Sequence, residues 1–204
     1  MAFVCLIALA APLAVAQTAD PGGSGTPAPP STQPSYSPLT GDERLHRYVQ
    51  SMVGPMSWVT GAFSAGFGQL RNRPEEWGQG ARGFGLRMGS GFATRVTRET
   101  IGYGVAGLLH EDNRFFRSEE TTTGGRLKDA ILGTFTARHD DGTQHVSVSK
   151  FSGWFGSAMI SRTWQPPSTG AVSSGFQNFG TQIGVAMGFN VVKEFLPKKL
   201  RFIK

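Results

Sequence analysis

Residues 74–96 constrain the fold more tightly than any other stretch. Trp77, Phe84, Met88, Phe92 and Val96 follow one another at steps of seven and four. That spacing lays them along one face of a helix and does not match the alternation of a strand. The same stretch carries Gly78, Gly80, Gly83, Gly85, Gly89 and Gly91. Each glycine inside a helix weakens it by about 1 kcal/mol relative to alanine. A compensating gain is therefore expected, and close contact between helix backbones is the one that a missing side chain permits. Gly85 and Gly89 form a small-xxx-small pair for such a contact.

The same device recurs near the C-terminus. A helix is predicted over residues 171–195, where Gly180, Gly184 and Gly188 fall four apart beside Phe176, Ile183 and Met187. Pro197 ends it. Gly85, Gly89, Gly180, Gly184 and Gly188 are thus the predicted helix-packing positions. Beyond them Lys198, Lys199, Arg201 and Lys204 form a basic tail, either a seat for an anionic surface or a solvated terminus.

Before and between these two helices the pattern stays helical. Thr40 or Asp42 can cap a first helix reaching about residue 71, with a kink or break at Pro55. Residues 48–70 carry no charge. They are long enough to cross a bilayer, but Gln50, Ser51, Ser57, Thr60, Ser64 and Gln69 favour a buried core helix. Gly61, Ala65, Gly66 and Gly68 offer that helix a small-residue face. Pro74 with Glu75 and Glu76 suits the start of the central helix. Arg95 and Glu99 are spaced to pair along it, and the uncharged residues 101–109 are expected to be buried all round. Shorter helices are read over 126–138 and 150–164, the latter with Gly153 and Ser157 as a small pair. Around 135–149 helix-loop-helix is preferred, and the alternative is a short β-hairpin pairing 135–138 with 146–149. The fold class is all-α: a compact, glycine-rich bundle of about five helices.

The run His110-Glu111-Asp112-Asn113-Arg114-Phe115-Phe116-Arg117 is the strongest candidate for chemistry. A histidine beside two carboxylates could hold a metal or move a proton. Adjacent residues point in different directions, however, and converge poorly on one ion. The alternative is a polar helix exit whose charges pair locally while Phe115 and Phe116 fall back onto the core. His139, Asp140, Asp141 and His145 pose the same choice, and there a solvated turn is favoured. No bound metal and no cofactor is expected. Two G-x-G-x-x-G matches, at Gly78–Gly83 and Gly102–Gly107, follow no strand and so lack the context of a dinucleotide fold. Nucleophile-elbow, P-loop and H-E-x-x-H patterns are absent.

Residues 1–16, MAFVCLIALAAPLAVA, are an apolar run closing on a small-x-small pattern. That is a signal peptide, though no Lys or Arg precedes the run and the natural start can lie upstream. Residues 17–40 are rich in Pro, Gly, Ser and Thr and read as a disordered linker. The helical domain is 41–204. The chain's one cysteine, Cys5, lies in the leader, so no disulfide is expected in the mature chain. The net charge of +6 favours anionic surfaces, and export makes nucleic acid the least fitting of them.

RPEEWGQGARGFG and GYGVAGLLHEDNRFFRS resemble a family of exported bacterial proteins of unknown function. Its members share a Trp-Gly-centred helix start and an acidic-Arg-aromatic exit. The resemblance covers roughly residues 38–197. It implies a helical, exported protein and no particular activity. The expectation is an envelope protein, periplasmic or membrane-associated, acting by helix packing on a membrane surface, an envelope protein or a second copy of itself. Two alternatives stand beside it: a small metal-assisted hydrolase using His110, Glu111 and Asp112, and an integral membrane protein with glycine-packed helices.

Overall fold

The computed structural model describes residues 36–196. The predicted signal peptide, most of the predicted linker and the basic residues Lys198, Lys199, Arg201 and Lys204 lie outside the described residues. The fold is an all-α bundle with one short hairpin. Its elements run α1 (Gly41–Val53), α2 (Pro55–Leu70), α3 (Gly80–Leu109), α4 (Thr123–Phe135), β1 (Thr136–Arg138), β2 (Gln144–Val146), α5 (Val148–Ile160), α6 (Pro167–Gly170) and α7 (Val172–Phe195).

Local chemistry accounts for the boundaries. Thr40 caps α1 in a reciprocal box with Glu43, which satisfies two otherwise orphaned donors. Gly54 and Pro55 split the first helical run as its sequence predicts. The central helix starts later than predicted. Pro74 introduces only a single 3-10 turn, Glu75–Trp77, and Gly78 and Gly80 adopt positive φ before α3 begins. Trp77 therefore lies outside the helix whose face it was expected to share.

α3 is the spine. It packs against α2 on one flank and α5 on the other, α5 packs on α7, and α7 on α4. Neighbours in this series run antiparallel. Trp58 of α2 stacks on Phe92 of α3, while Gly68, ten residues on, meets the Arg87 side chain. Trp164, just beyond α5, donates to Ser90, and Gly153 sits on Arg98 and Gly102. One end of the bundle therefore collects the C-terminus of α3, the N-terminus of α5 and the hairpin.

Close packing at glycine is present at Gly153, half of the predicted small pair with Ser157, and at Gly175, which was not predicted, but not along the two regular glycine series. A Cβ on Gly153 would lie 2.9 Å from the Arg98 carbonyl oxygen, and one on Gly175 would meet Arg162 and Met159 at 2.9 and 3.1 Å. At Gly85, Gly89, Gly180, Gly184 and Gly188 a Cβ would meet nothing within 4 Å. Among the described residues these five admit no close neighbour. α7 carries glycine on two faces, and the one turned to α5 bears Gly175 and Gln182. The regular stripe faces outward.

Three further expectations are corrected for a related reason. With helices packed in series, each has neighbours on its flanks and open surface elsewhere. Of residues 101–109 only Ala106 is buried, and Leu108 is 81% exposed. α2 is an edge helix instead of a core helix: it buries Ala65 alone and exposes Trp58, Val59, Phe63 and Leu70. Arg95 does not pair with Glu99; it donates to Thr60 of α2, and Glu99 accepts from Arg98. Among the described residues no helix is long and apolar enough to cross a membrane.

The hairpin pairs Thr136 with Val146, Ala137 with His145 and Arg138 with Gln144. It displaces the preferred helix-loop-helix. Gly142 at φ +81° makes the turn, and the Thr143 amide donates to the Asp141 carboxylate, a local bond that stabilises a turn.

Candidate functional site

The exit of α3 shows why three adjacent polar residues take three separate roles. His110 ends the helix in the left-handed conformation. The chain then runs extended. The Asp112 amide donates to the Arg138 carbonyl at 2.6 Å, and the Arg138 amide donates back at 3.1 Å. An extended segment sends successive side chains to opposite sides. Glu111 and Asn113 accordingly turn toward α5, while Asp112 turns the other way.

Glu111 is 1% exposed and sits on the N-terminus of α5. Its carboxylate accepts from the amides of Val148 (2.9 Å) and Ser149 (3.0 Å) and from the hydroxyls of Ser147 (3.0 Å) and Ser149. These amides are the orphan donors of a helix start, where negative charge is also favoured by the helix dipole. Burial pushes the Glu111 carboxyl up, but the bonds from Ser149, Val148 and Ser147 outweigh it and hold the group below its ordinary value. Ser147 Oγ also accepts from the Lys150 amide, the N-cap bond of α5. Lys150 turns away and donates to the carbonyls of Gly133 (3.0 Å) and Thr136 (2.6 Å). Its burial lowers its pKa from 10.5 to about 8.

Asp112, fully buried, accepts from Arg114 Nε at 2.6 Å and from the Tyr36 hydroxyl at 3.2 Å. Arg114 reaches on to the Ser37 carbonyl. His110 faces outward, with Nδ1 2.9 Å from Asp140. Asp140 also lies 3.5 Å from Arg44. The structure thus spreads His110, Glu111 and Asp112 over three sets of partners. The local charge pairing of a polar helix exit holds for Asp112 with Arg114, whereas Glu111 spans to a distant helix. Phe115 and Phe116 are half-buried, and Phe116 lies under Arg138, whose guanidinium carbon is 4.3 Å from the ring centroid. His139 and His145 meet edge to face at 5.2 Å on the hairpin.

Two further polar centres have no counterpart in the sequence analysis. Glu194 is wholly buried near the end of α7 and accepts from Arg126 Nε at 2.9 Å and the Ser118 amide at 3.2 Å. Arg117 donates to the carbonyls of Lys193, Glu194 and Leu196, the orphan acceptors of a helix end. The sequence signal was slight, because Glu194 stands beside Lys193 at the end of α7 and reads as an ordinary charged helix end. Arg87 is 6% exposed. It donates to the carbonyls of Arg73, Pro74 and Gly78 and to Gln69 Oε1. It ties down the α2–α3 connection without any carboxylate, and no spacing rule marks such a role.

Chemically, this constellation satisfies its own groups. Among the described residues every buried side-chain nitrogen and oxygen has a hydrogen-bond partner. No group of three or more His, Cys, Asp or Glu side chains is placed there to hold a metal ion. A hollow beside Trp58, Met88, Phe92 and Arg95 has an internal volume of about 20 Å³, room for a water and not for an organic substrate. Comparison of the chain with family models, curated proteins and solved structures finds no match.

Proposed function

We propose that this chain is an exported cell-envelope protein that works through its helical surfaces and not by turnover. One observation carries the reading: the burial pattern is inverted. The largest wholly buried side chains are Glu111, Glu194, Thr134 and Asp112. Trp58, Val59, Phe63, Leu70, Leu108 and Val146 are all half exposed or more. Soluble monomers show the opposite tendency, and clustered exposed apolar residues mark a surface awaiting a partner. The candidate catalytic trio supports a binding role, because each member is committed to a structural partner. The signal-like residues 1–16 support export.

Fractionation combined with crosslinking of intact cells tests this. The expected result is recovery with the envelope and capture of a neighbouring molecule. Recovery of an uncrosslinked monomer from the cytoplasm overturns it.

A further inference from the structure

We infer that the outward face of α2, Val59, Phe63, Phe67 and Leu70 with Trp58 at its border, is a lipid-binding element that lies flat in the head-group region of an anionic bilayer. The inference rests on the reading above, that the protein works through its surfaces, and names the surface's occupant. Val59, Phe63, Phe67 and Leu70 recur at steps of four and three along the exposed side of α2, and Trp58, stacked on Phe92 of α3, borders them half exposed. Their exposures run from 48% to 87%. Sixteen residues of α2 span about 24 Å, and since no described helix is apolar enough to cross a membrane, a helix lying in the interface is the geometry that buries this face.

The charges select the lipid. From Arg44 to Pro74 the chain has no carboxylate and four arginines. At the tip of the α2–α3 turn Arg71, Arg73 and Arg82 are exposed, and among the described residues none of them is in an ion pair. The other charges at this tip are the buried Arg87, Glu75 and Glu76. Glu76 accepts from the amide and hydroxyl of Ser168 and keeps its charge, so four guanidinium groups, three of them exposed, stand against two carboxylates. Elsewhere several arginines have carboxylate partners, Arg114 in Asp112, Arg117 and Arg126 in Glu194, Arg98 in Glu99 and Arg44 in Asp140, while Arg95, like the buried Arg87 of the tip, donates to neutral acceptors. The guanidinium of Arg71 lies 4.4 Å over the Phe67 ring, so a cation borders the apolar face directly. Lipid phosphates supply the anions that this end of the molecule lacks, and exposed Trp and Phe suit the same depth.

The test is flotation of the full chain with phosphatidylcholine vesicles, with and without phosphatidylglycerol, read together with quenching of tryptophan by brominated lipid. Flotation with the anionic vesicles and quenching that is lost in Trp58→Phe are expected. Phe63→Glu with Phe67→Glu should lower vesicle binding by about tenfold or more while leaving the melting temperature near that of the wild type. Equal binding to both vesicles overturns the role of the arginines. Absence of binding to either overturns the inference. If light scattering then shows a dimer that Phe63→Glu dissociates, the face belongs to a second copy and the wider reading survives. If it shows a monomer, and intact cells also yield no crosslinked neighbour, both fall.

Discussion

The two ends of α3 are held by opposite means. At its C-terminus, buried carboxylates draw the α5 N-terminus, the hairpin and Tyr36 onto one polar knot. At its N-terminal half, α2 lies along the spine with one buried alanine; Trp58 stacks on Phe92, while Phe63 and Phe67 are exposed. The first end is complete in itself, with every buried polar atom satisfied among the described residues. The second leaves apolar surface in water. A polar network tolerates no gap, because each unpaired group costs its full desolvation. An apolar face can wait for a partner at a cost spread over many small contacts. The polar end therefore fixes the structure, and the apolar edge is free to serve binding.

The largest expected effect breaks the polar end. Glu111→Ala leaves the amides of Val148 and Ser149 and two buried hydroxyls without their acceptor. A loss on the order of 3–5 kcal/mol is expected, read as a fall in thermal midpoint or failure to fold. Glu111→Gln keeps the shape and isolates the charge. Because the folded carboxyl lies below its ordinary 4.5, its contribution is full above that value and is lost as pH falls through the lowered one. Acid titration of the melting temperature should therefore be steeper below 4.5 in the wild type than in Glu111→Gln. Equal slopes would show that Glu111 carries no such charge.

How legible was this comparison in the sequence? Helix existence and the Pro55 break follow from period and local chemistry, and Thr40 announces its own capping box. Glu111 and Asp112 are conspicuous as a pair, but the partner of Glu111 is a helix start 37 residues away. Only the hairpin and the Asp112–Arg138 bridge bring the two together. Glycine misled in a definite way. Spacing shows that Gly180, Gly184 and Gly188 share a face, but not which face meets a neighbour; the contacts fall at Gly153, marked by its small pair with Ser157, and at Gly175, which no regular series marks. Nor does hydropathy reveal that helices packed in series leave much of α3 open.

A second, smaller effect probes the packed flank. Gly153→Ala places a Cβ 2.9 Å from the Arg98 carbonyl oxygen, a backbone atom that cannot swing aside. A cost of about 1–3 kcal/mol is expected from chemical denaturation, despite the gain in helix propensity. A neutral or stabilising result would mean that α3 and α5 are less tightly apposed than the structure has them.

Lys150 sharpens the comparison from the polar side. Its folded pKa of about 8 lies below the 10.5 of the exposed amine, so between those values the unfolded chain binds more protons. The cost of burying the ammonium is full below about 8 and relieved as pH rises toward 10.5. The stability of the wild type relative to Lys150→Met should climb over that window. A difference independent of pH would place the amine in contact with water.

The smallest effect belongs to the outward stripe. A Cβ at Gly184 meets nothing within 4 Å, and alanine favours a helix over glycine by about 1 kcal/mol. Gly184→Ala should raise the unfolding free energy of the isolated monomer by up to roughly that amount. The opposite sign from Gly153→Ala, on two helices packed against each other, separates glycines that admit a neighbour from glycines that face outward. If Gly184→Ala instead destabilises, and does so only at concentrations where the chain self-associates, the stripe is occupied by a second molecule and the outward face of α7 joins that of α2 as working surface.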